Sequence, residues 1–164
     1  MGERRDEAMT EAQFVTDLEQ LKARLYRTAR IYLASESAAL DAVDEAVYQG
    51  LIHCHKLRED RFFTTWMTRI LINVCNNELR RRRREVTMAE LPDTAAEAYD
   101  SLPLRQAVER LPRELRAVVA LRYFSGYTIA ETAEALSIPA GTVSTRQRKA
   151  LSLLRLALDD QEEV

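Results

Sequence analysis

The 164-residue chain carries 26 acidic and 24 basic side chains, a balance that gives no global cationic field, so any nucleic-acid partner must be read from where the charges lie. Its four glycines and four prolines, set among long stretches of Ala, Leu, Arg and Glu, predict an all-α protein. Cys54 and Cys75 are isolated, which excludes a zinc site or a disulfide framework and points to reduced thiols.

Thr10, with Gln13 three residues on, predicts a capped first helix running to about Leu33, with Phe14, Leu18, Leu21, Leu25 and Ile31 as its apolar stripe. Ser35-Glu36-Ser37 interrupts it. A second helix from about Ala38 to His53 turns Leu40, Val43, Val47 and Leu51 inward and leaves Asp41, Asp44, Glu45 and Gln49 outside or at the margin. Lys56 to Phe63 reads as a charged and aromatic loop. From Thr64 or Thr65 a third helix runs into the unbroken arginine stretch Arg80 to Arg84, with Trp66, Met67, Ile70, Leu71 and Val74 on its apolar face. The opposite face carries Arg69, Asn73, Asn76, Arg80 and Arg83. Amide and guanidinium groups ranged along one helical face suit contact with nucleic acid.

Residues 85–100 lose this periodicity. They hold Glu85, Glu90, Asp93, Glu97 and Asp100 with no basic residue, the pattern of a flexible acidic linker. The expected organisation is therefore two small helical domains, 1–84 and 101–164, joined by 85–100. In the second, Pro103 and Pro112 sit where a first-turn proline is tolerated, a helix runs from Pro112 to about Phe124, and Gly126 follows as its C-cap. Thr128 and Glu131 form a capping-box pattern for a helix whose apolar face is Ile129, Ala133 and Leu136. Ser137-Ile138-Pro139-Ala140-Gly141 breaks it, with Gly141 expected to permit the chain reversal. In the next helix Val143, Gln147, Ala150, Leu151, Leu154 and Leu158 fall on one side, and Thr142, Thr145, Arg148, Lys149 and Ser152 on the other, with Arg146 at its margin. Hydroxyls and cations spaced in this way suit the major groove, so the segment predicts a helix-turn-helix.

Enzyme chemistry finds no footing: there is no phosphate-cradling glycine loop, no nucleophile motif and no metal cluster. His53-Cys54-His55 only resembles a ligand set, because adjacent helical residues diverge. No catalytic residue, metal or cofactor is expected. The N-terminus lacks an apolar signal core and no apolar run reaches the length of a membrane span, so the expectation is a cytoplasmic protein without membrane insertion.

Several motifs together resemble the sigma-70 family of RNA polymerase sigma factors, in the short extracytoplasmic-function (ECF) form that keeps only regions two and four. Leu111-Pro112-Arg113-Glu114-Leu115-Arg116 is similar to the family's LPxxxR motif, Gly141-Thr142-Val143-Ser144-Thr145-Arg146 to GTVxSR, and Thr65 to Asn73 to TWLxRIxxN. Asp41-Ala42-Val43-Asp44-Glu45 is similar to the Asp-Leu-Val-Gln-Glu segment that docks on polymerase core, with Asp44 in place of the amide. The resemblance implies core contacts at Asp41, Val43, Asp44 and Glu45. It places capture of an unstacked minus-ten base at about Lys56 to Phe63, where Arg58, Arg61, Phe62 and Phe63 bring cations and stacking faces, although core packing is the other reading of the phenylalanines. The face of Arg69, Asn73, Asn76, Arg80 and Arg83 would then touch minus-ten DNA. Thr142, Ser144, Thr145, Arg146, Arg148 and Lys149 would read the minus-thirty-five element as duplex.

By this resemblance the chain is a monomeric promoter-specificity subunit that binds RNA polymerase core and promoter DNA and is held in check by an anti-sigma factor, in a stress or envelope response. The linker would either mimic nucleic acid in a basic channel or serve as a solvated tether. The rival reading is a stand-alone helix-turn-helix repressor or activator with residues 1–84 as a sensing or dimerisation domain. The second basic face, at Arg69 to Arg83, argues against it, since a sensing domain has no use for one.

Overall fold

In the computed structural model, residues 8–86 and 102–162 are described, and every regular element among them is helical. The segment expected to be an acidic linker lies, but for its first two residues, outside the described residues.

Helix α1 (Glu11–Leu33) begins with a complete capping box, in which the Thr10 hydroxyl accepts from the Gln13 amide and the Gln13 side chain accepts from the Thr10 amide. It ends at Ala34, whose left-handed backbone turns the chain into α2 (Glu36–His53), capped by Ser35. Short 3₁₀ turns at Cys54–Lys56 and Asp60–Phe62 fill the expected loop, and α3 (Phe63–Val86) follows.

These three helices close a core around Phe14, Leu25, Met67 and Leu71. Burial of such side chains contributes roughly 1.5–3 kcal/mol each. The buried stripe of α2 differs from the expected one: it is Ala39, Ala42, Val43, Ala46 and Gly50, whereas Leu40 is 49% exposed. Small side chains let α2 approach its neighbours closely. A Cβ at Gly50 would lie 2.5 Å from the Met67 sulfur and 3.0 Å from the Phe14 ring, so any side chain there would have to displace these core groups.

The second half comprises α4 (Leu102–Arg110), α5 (Arg113–Val119), α6 (Ile129–Leu136) and α7 (Ala140–Glu162). Beyond Val119 the helix widens into a π-turn over Ala120–Phe124, and Gly126, at φ 72°, reverses the chain as expected. Between α6 and α7 the reversal is made at Ser137 and not at Gly141. Ser137 takes the left-handed conformation, the Ile138 amide donates to the Ala133 carbonyl, and Gly141 is already helical. On α7, Val143, Ala150 and Leu154 are buried as the phase predicts, but Leu151 is 42% exposed.

The two halves touch. Helices α1 and α3 pack against α6 and the π-turn, and α4 reaches α1. Arg116 is a rivet between them. Its guanidinium donates to the carbonyls of Glu109 and Leu111 in its own half and to that of Tyr32 in α1.

Candidate nucleic-acid interface

Helix α7 presents the first of two cationic faces. Pro139 leads into it and accepts from the amides of Thr142 and Val143, so the first turn is pinned at the end of the helix-turn-helix. The Thr128 hydroxyl accepts from the Glu131 amide and fixes the start of α6, the supporting helix. Thr145, Arg148 and Lys149 stand exposed on α7, with Thr142 and Ser144 half-buried beside them. Arg146, expected at the margin, is held there: its guanidinium lies 3.5 Å from the Glu114 carboxylate of α5. A groove of about 570 Å³ runs between α5 and α7 past Glu114, Thr142, Thr145 and Lys149. A Cβ at Gly141 would meet nothing, so the leading edge of this helix is open to solvent.

Helix α3 carries the second face, and its surroundings differ. Arg69, Asn73, Asn76 and Arg83 do share one side, as the periodicity requires, and they line a cleft of about 670 Å³ whose far wall is made by Arg113, Ser137 and Arg146 of the second half. Arg69 donates to the Glu134 carbonyl at 2.6 Å, and Asn76 accepts from the Tyr32 phenol at 2.6 Å. Burial pushes that phenol up to about 12, so it stays a donor across the ordinary pH range. Arg80 is exposed and, among the described residues, reaches its helical neighbour Asn77 at 3.3 Å. The sequence pattern identified the face but gave no sign of Tyr32 behind it or of Arg113 opposite.

Upstream of α3, Arg58 is exposed and Arg61 is solvated, 2.7 Å from Glu59, with its guanidinium 4.6 Å above the half-buried Phe62 ring. Phe63 has no free stacking face. It is buried edge-on against Phe14 at 5.6 Å, so core packing accounts for it. Trp66 packs half-buried beside it. Among the candidate core contacts, Asp41, Asp44 and Glu45 are exposed, while Val43 is buried inside the first half and offers no surface. Asp41 and Glu45 line a groove with Arg81 and Arg82 of α3, and Asp44 lies in a stripe with Leu40, Tyr48 and Ile52, three apolar side chains 47–61% exposed. The sequence reading missed this stripe. Its signal was the repeat at every fourth residue.

Two family models match the chain: Sigma-70 region 2 over residues 18–85 and Sigma-70 region 4 over 101–154. The chain is also 31% identical over 136 residues to the ECF RNA polymerase sigma factor SigM of Mycobacterium tuberculosis, covering 80% of this chain and 69% of that one. It belongs to the sigma-70 family, in its ECF form. RNA polymerase sigma factor SigV of Bacillus subtilis is similar over almost the full length, 27% identical across 93% of this chain and 95% of its own. The fold of this sigma-70 member is shared with the sigma factor RpoE of Bartonella quintana, solved in complex with the anti-sigma factor NepR (TM-score 0.74, 19% identity, 89% of this chain and 96% of that one). It is shared also with CnrH, solved in complex with the cytosolic domain of CnrY (TM-score 0.73, 20% identity, 92% and 90%).

Proposed function

We propose that the chain directs RNA polymerase core to promoters and opens the DNA there, with no bond-forming chemistry of its own. The observation that carries this reading is the pair of cationic faces, on α3 and α7, in a chain whose matches to both sigma-70 regions fall in the order two, four. A repressor needs only the second. In the proposed division of labour, residues 1–84 bind core and the minus-ten element, 85–100 connect, and 101–164 read the minus-thirty-five element.

On α7, Arg146, Arg148 and Lys149 address base edges or phosphates in the major groove, with Thr142, Ser144 and Thr145 filling in shorter contacts. On α3, Arg69, Arg80 and Arg83 hold phosphates while Asn73 and Asn76 come nearer the bases. Arg58, Arg61 and Phe62 flank the loop where an unstacked base would settle; stacking worth about 1–3 kcal/mol per base offsets the cost of unpairing it. Asp41, Asp44 and Glu45 dock on core, helped by the apolar stripe of Leu40, Tyr48 and Ile52, since an interface joins an apolar centre to a charged rim. Polymerase in the cytoplasm is the natural partner. The fold's occurrence in two complexes with a second protein, one named an anti-sigma factor, supports a similar inhibitory partner here. Among the described residues no helix is long and apolar enough to cross a membrane.

The test is run-off transcription by purified core on a genomic fragment library, with and without the chain. Discrete new transcripts that need the chain support the reading, and identical transcript sets refute it.

A further inference from the structure

Two asparagines stand one turn apart on the α3 face, and the structure holds them differently. Asn73 is exposed, and among the described residues no hydrogen bond fixes its side-chain amide, so either end of it can turn to a base. Asn76 is half-buried, and its Oδ1 accepts from the Tyr32 phenol of α1 at 2.6 Å. Tyr32 is itself fixed. It is 1% exposed in the core of the first half, and its own carbonyl accepts from the Arg116 guanidinium at 3.2 Å.

The direction of this bond follows from what the phenol needs. Burial keeps its proton on up to about 12, so the group is a donor, and among the described residues Asn76 Oδ1 is the acceptor it meets. Turning the amide over would set Nδ2 there instead and leave the buried hydroxyl proton without that acceptor. Such a loss is costly. Oδ1 is therefore held toward α1, and Nδ2, with its two hydrogens, is the end left to face the cleft that Arg69 and Asn73 also line.

Base edges distinguish the two ends of an amide. Guanine offers acceptors at O6 and N7 and thymine one at O4, whereas adenine sets an N6 donor beside its N7 acceptor and cytosine offers an N4 donor. The usual pairing of asparagine with adenine uses both ends, the oxygen on N6 and the nitrogen on N7. An amide whose oxygen is turned away cannot complete it. Resting on the assignment of the α3 face to promoter DNA above, we infer that Tyr32 is a positioning residue that makes Asn76 a donor-only reader, selecting a keto base, guanine or thymine, over adenine or cytosine at one promoter position. Asn73, unheld, carries no such bias. Part of the specificity of this face is thus set by a buried side chain that no DNA can touch.

The test is selection of transcribed promoters from a library randomised across the minus-ten element, using the full chain with core. The unaltered chain should favour guanine or thymine at the position whose preference Asn76→Ala abolishes. Tyr32→Phe keeps the ring and removes the hydroxyl, so the amide is free to turn. At that position the ratio of keto bases to adenine should fall by about threefold or more, with the other positions unchanged. In the Asn76→Ala background, Tyr32→Phe should change no preference; a merely structural role would weaken all promoters alike in both backgrounds. Asn76→Asp decides the matter where Tyr32→Phe does not fold: its carboxylate still accepts from the phenol but offers an oxygen outward, so selection should pass to adenine or cytosine. No position responding to Asn76→Ala, a preference for adenine in the unaltered chain, a Tyr32→Phe profile that is unchanged or uniformly lowered, or an Asn76→Asp profile that still favours keto bases would each overturn the inference. If the unaltered chain gives no transcripts with core, the promoter reading fails and base selection falls with it. The carbon-13 resonance of Asn76 Cγ, which should move when Tyr32→Phe removes the bond, then still tells whether the phenol holds the amide.

Discussion

The two cationic helices were read from the same kind of pattern, yet the structure treats them oppositely. The face of α7 looks outward: Thr145, Arg148 and Lys149 are exposed, and Arg146 is held from outside the helix, by Glu114. The face of α3 borders the second half: Arg69 and Asn76 already hold partners, and Asn73 and Arg83 line the open cleft between the halves while staying exposed. Helical phase tells which side chains stand together, but what they stand against is decided by packing between segments distant in sequence. A change on the open face of α7 removes only contacts to DNA, whereas a change at Arg69 on α3 also removes a bond to the second half.

The largest expected effect is on α7, where the reader is already exposed. Arg146→Ala or Lys149→Ala should cost about 1–3 kcal/mol of promoter discrimination if the side chain pairs a base, and less if it touches only phosphate. A randomised promoter library separates the two, since loss of a base contact relaxes preference at one position while loss of a phosphate contact weakens all promoters alike. Arg146→Ala also frees Glu114, so its effect should exceed that of Arg148→Ala.

On α3 the expected loss is smaller. Arg80 is exposed and, among the described residues, bonds Asn77 of its own helix, so Arg80→Ala should reduce the salt slope of open-complex formation by about one contact, close to 0.9 in log–log units. Asn73→Ala combined with it should reduce permanganate reactivity of the melted strand; an unaltered footprint would remove α3 from the minus-ten assignment. On α2, reversing Asp41 and Glu45 to Lys should weaken binding to core by a few-fold at moderate salt, because like charges across an interface are unfavourable. Tyr48→Ser should add to that loss if the apolar stripe takes part, and a calorimetric titration of core with the variants would reveal whether it does.

The smallest effect concerns the base of the α3 face. Hydrogen bonds from Arg81 and Arg82 hold the Glu78 carboxyl below its usual range. A depressed folded-state pKa means stability that is present above the unfolded value and lost as pH falls through the folded one. Glu78→Gln should therefore cost under about 1 kcal/mol near neutrality, as expected for a largely solvated pair, and flatten the acid limb of the melting curve. An acid limb identical to that of the unaltered chain would assign the acid sensitivity elsewhere.

Much of the fold was legible because its signals are local. The Thr10–Gln13 capping box, the turn at Gly126 and the burial of Val143, Ala150 and Leu154 each depend on residues a few positions apart. The misplacements share a different cause. Leu40 was assigned inward by its hydrophobicity, but the close approach of α2 selects alanine and Gly50 for the inner stripe and leaves the larger side chain outside. Leu151 faces solvent because Ala150 occupies the buried position. The pattern assigns the reversal to Gly141, but Ser137 makes it with a left-handed backbone, tolerated in a single small polar residue. Phe63 could not be told from a stacking residue until Phe14, nearly fifty positions away, was found against it. Tyr127, Thr68 and Ser125 carry no local signature at all. Their partners lie 59 to 101 residues distant, and no periodicity encodes such a pairing.

The most direct measurement is a permanganate and DNase footprint on a promoter recovered from the run-off library, comparing the chain alone, core alone and the two together. The account predicts reactive thymines about ten base pairs upstream of the start site, with protection near −35, only when both are present. Protection of paired half-sites by the chain alone, with no melting and no dependence on core, would contradict it and establish the stand-alone repressor.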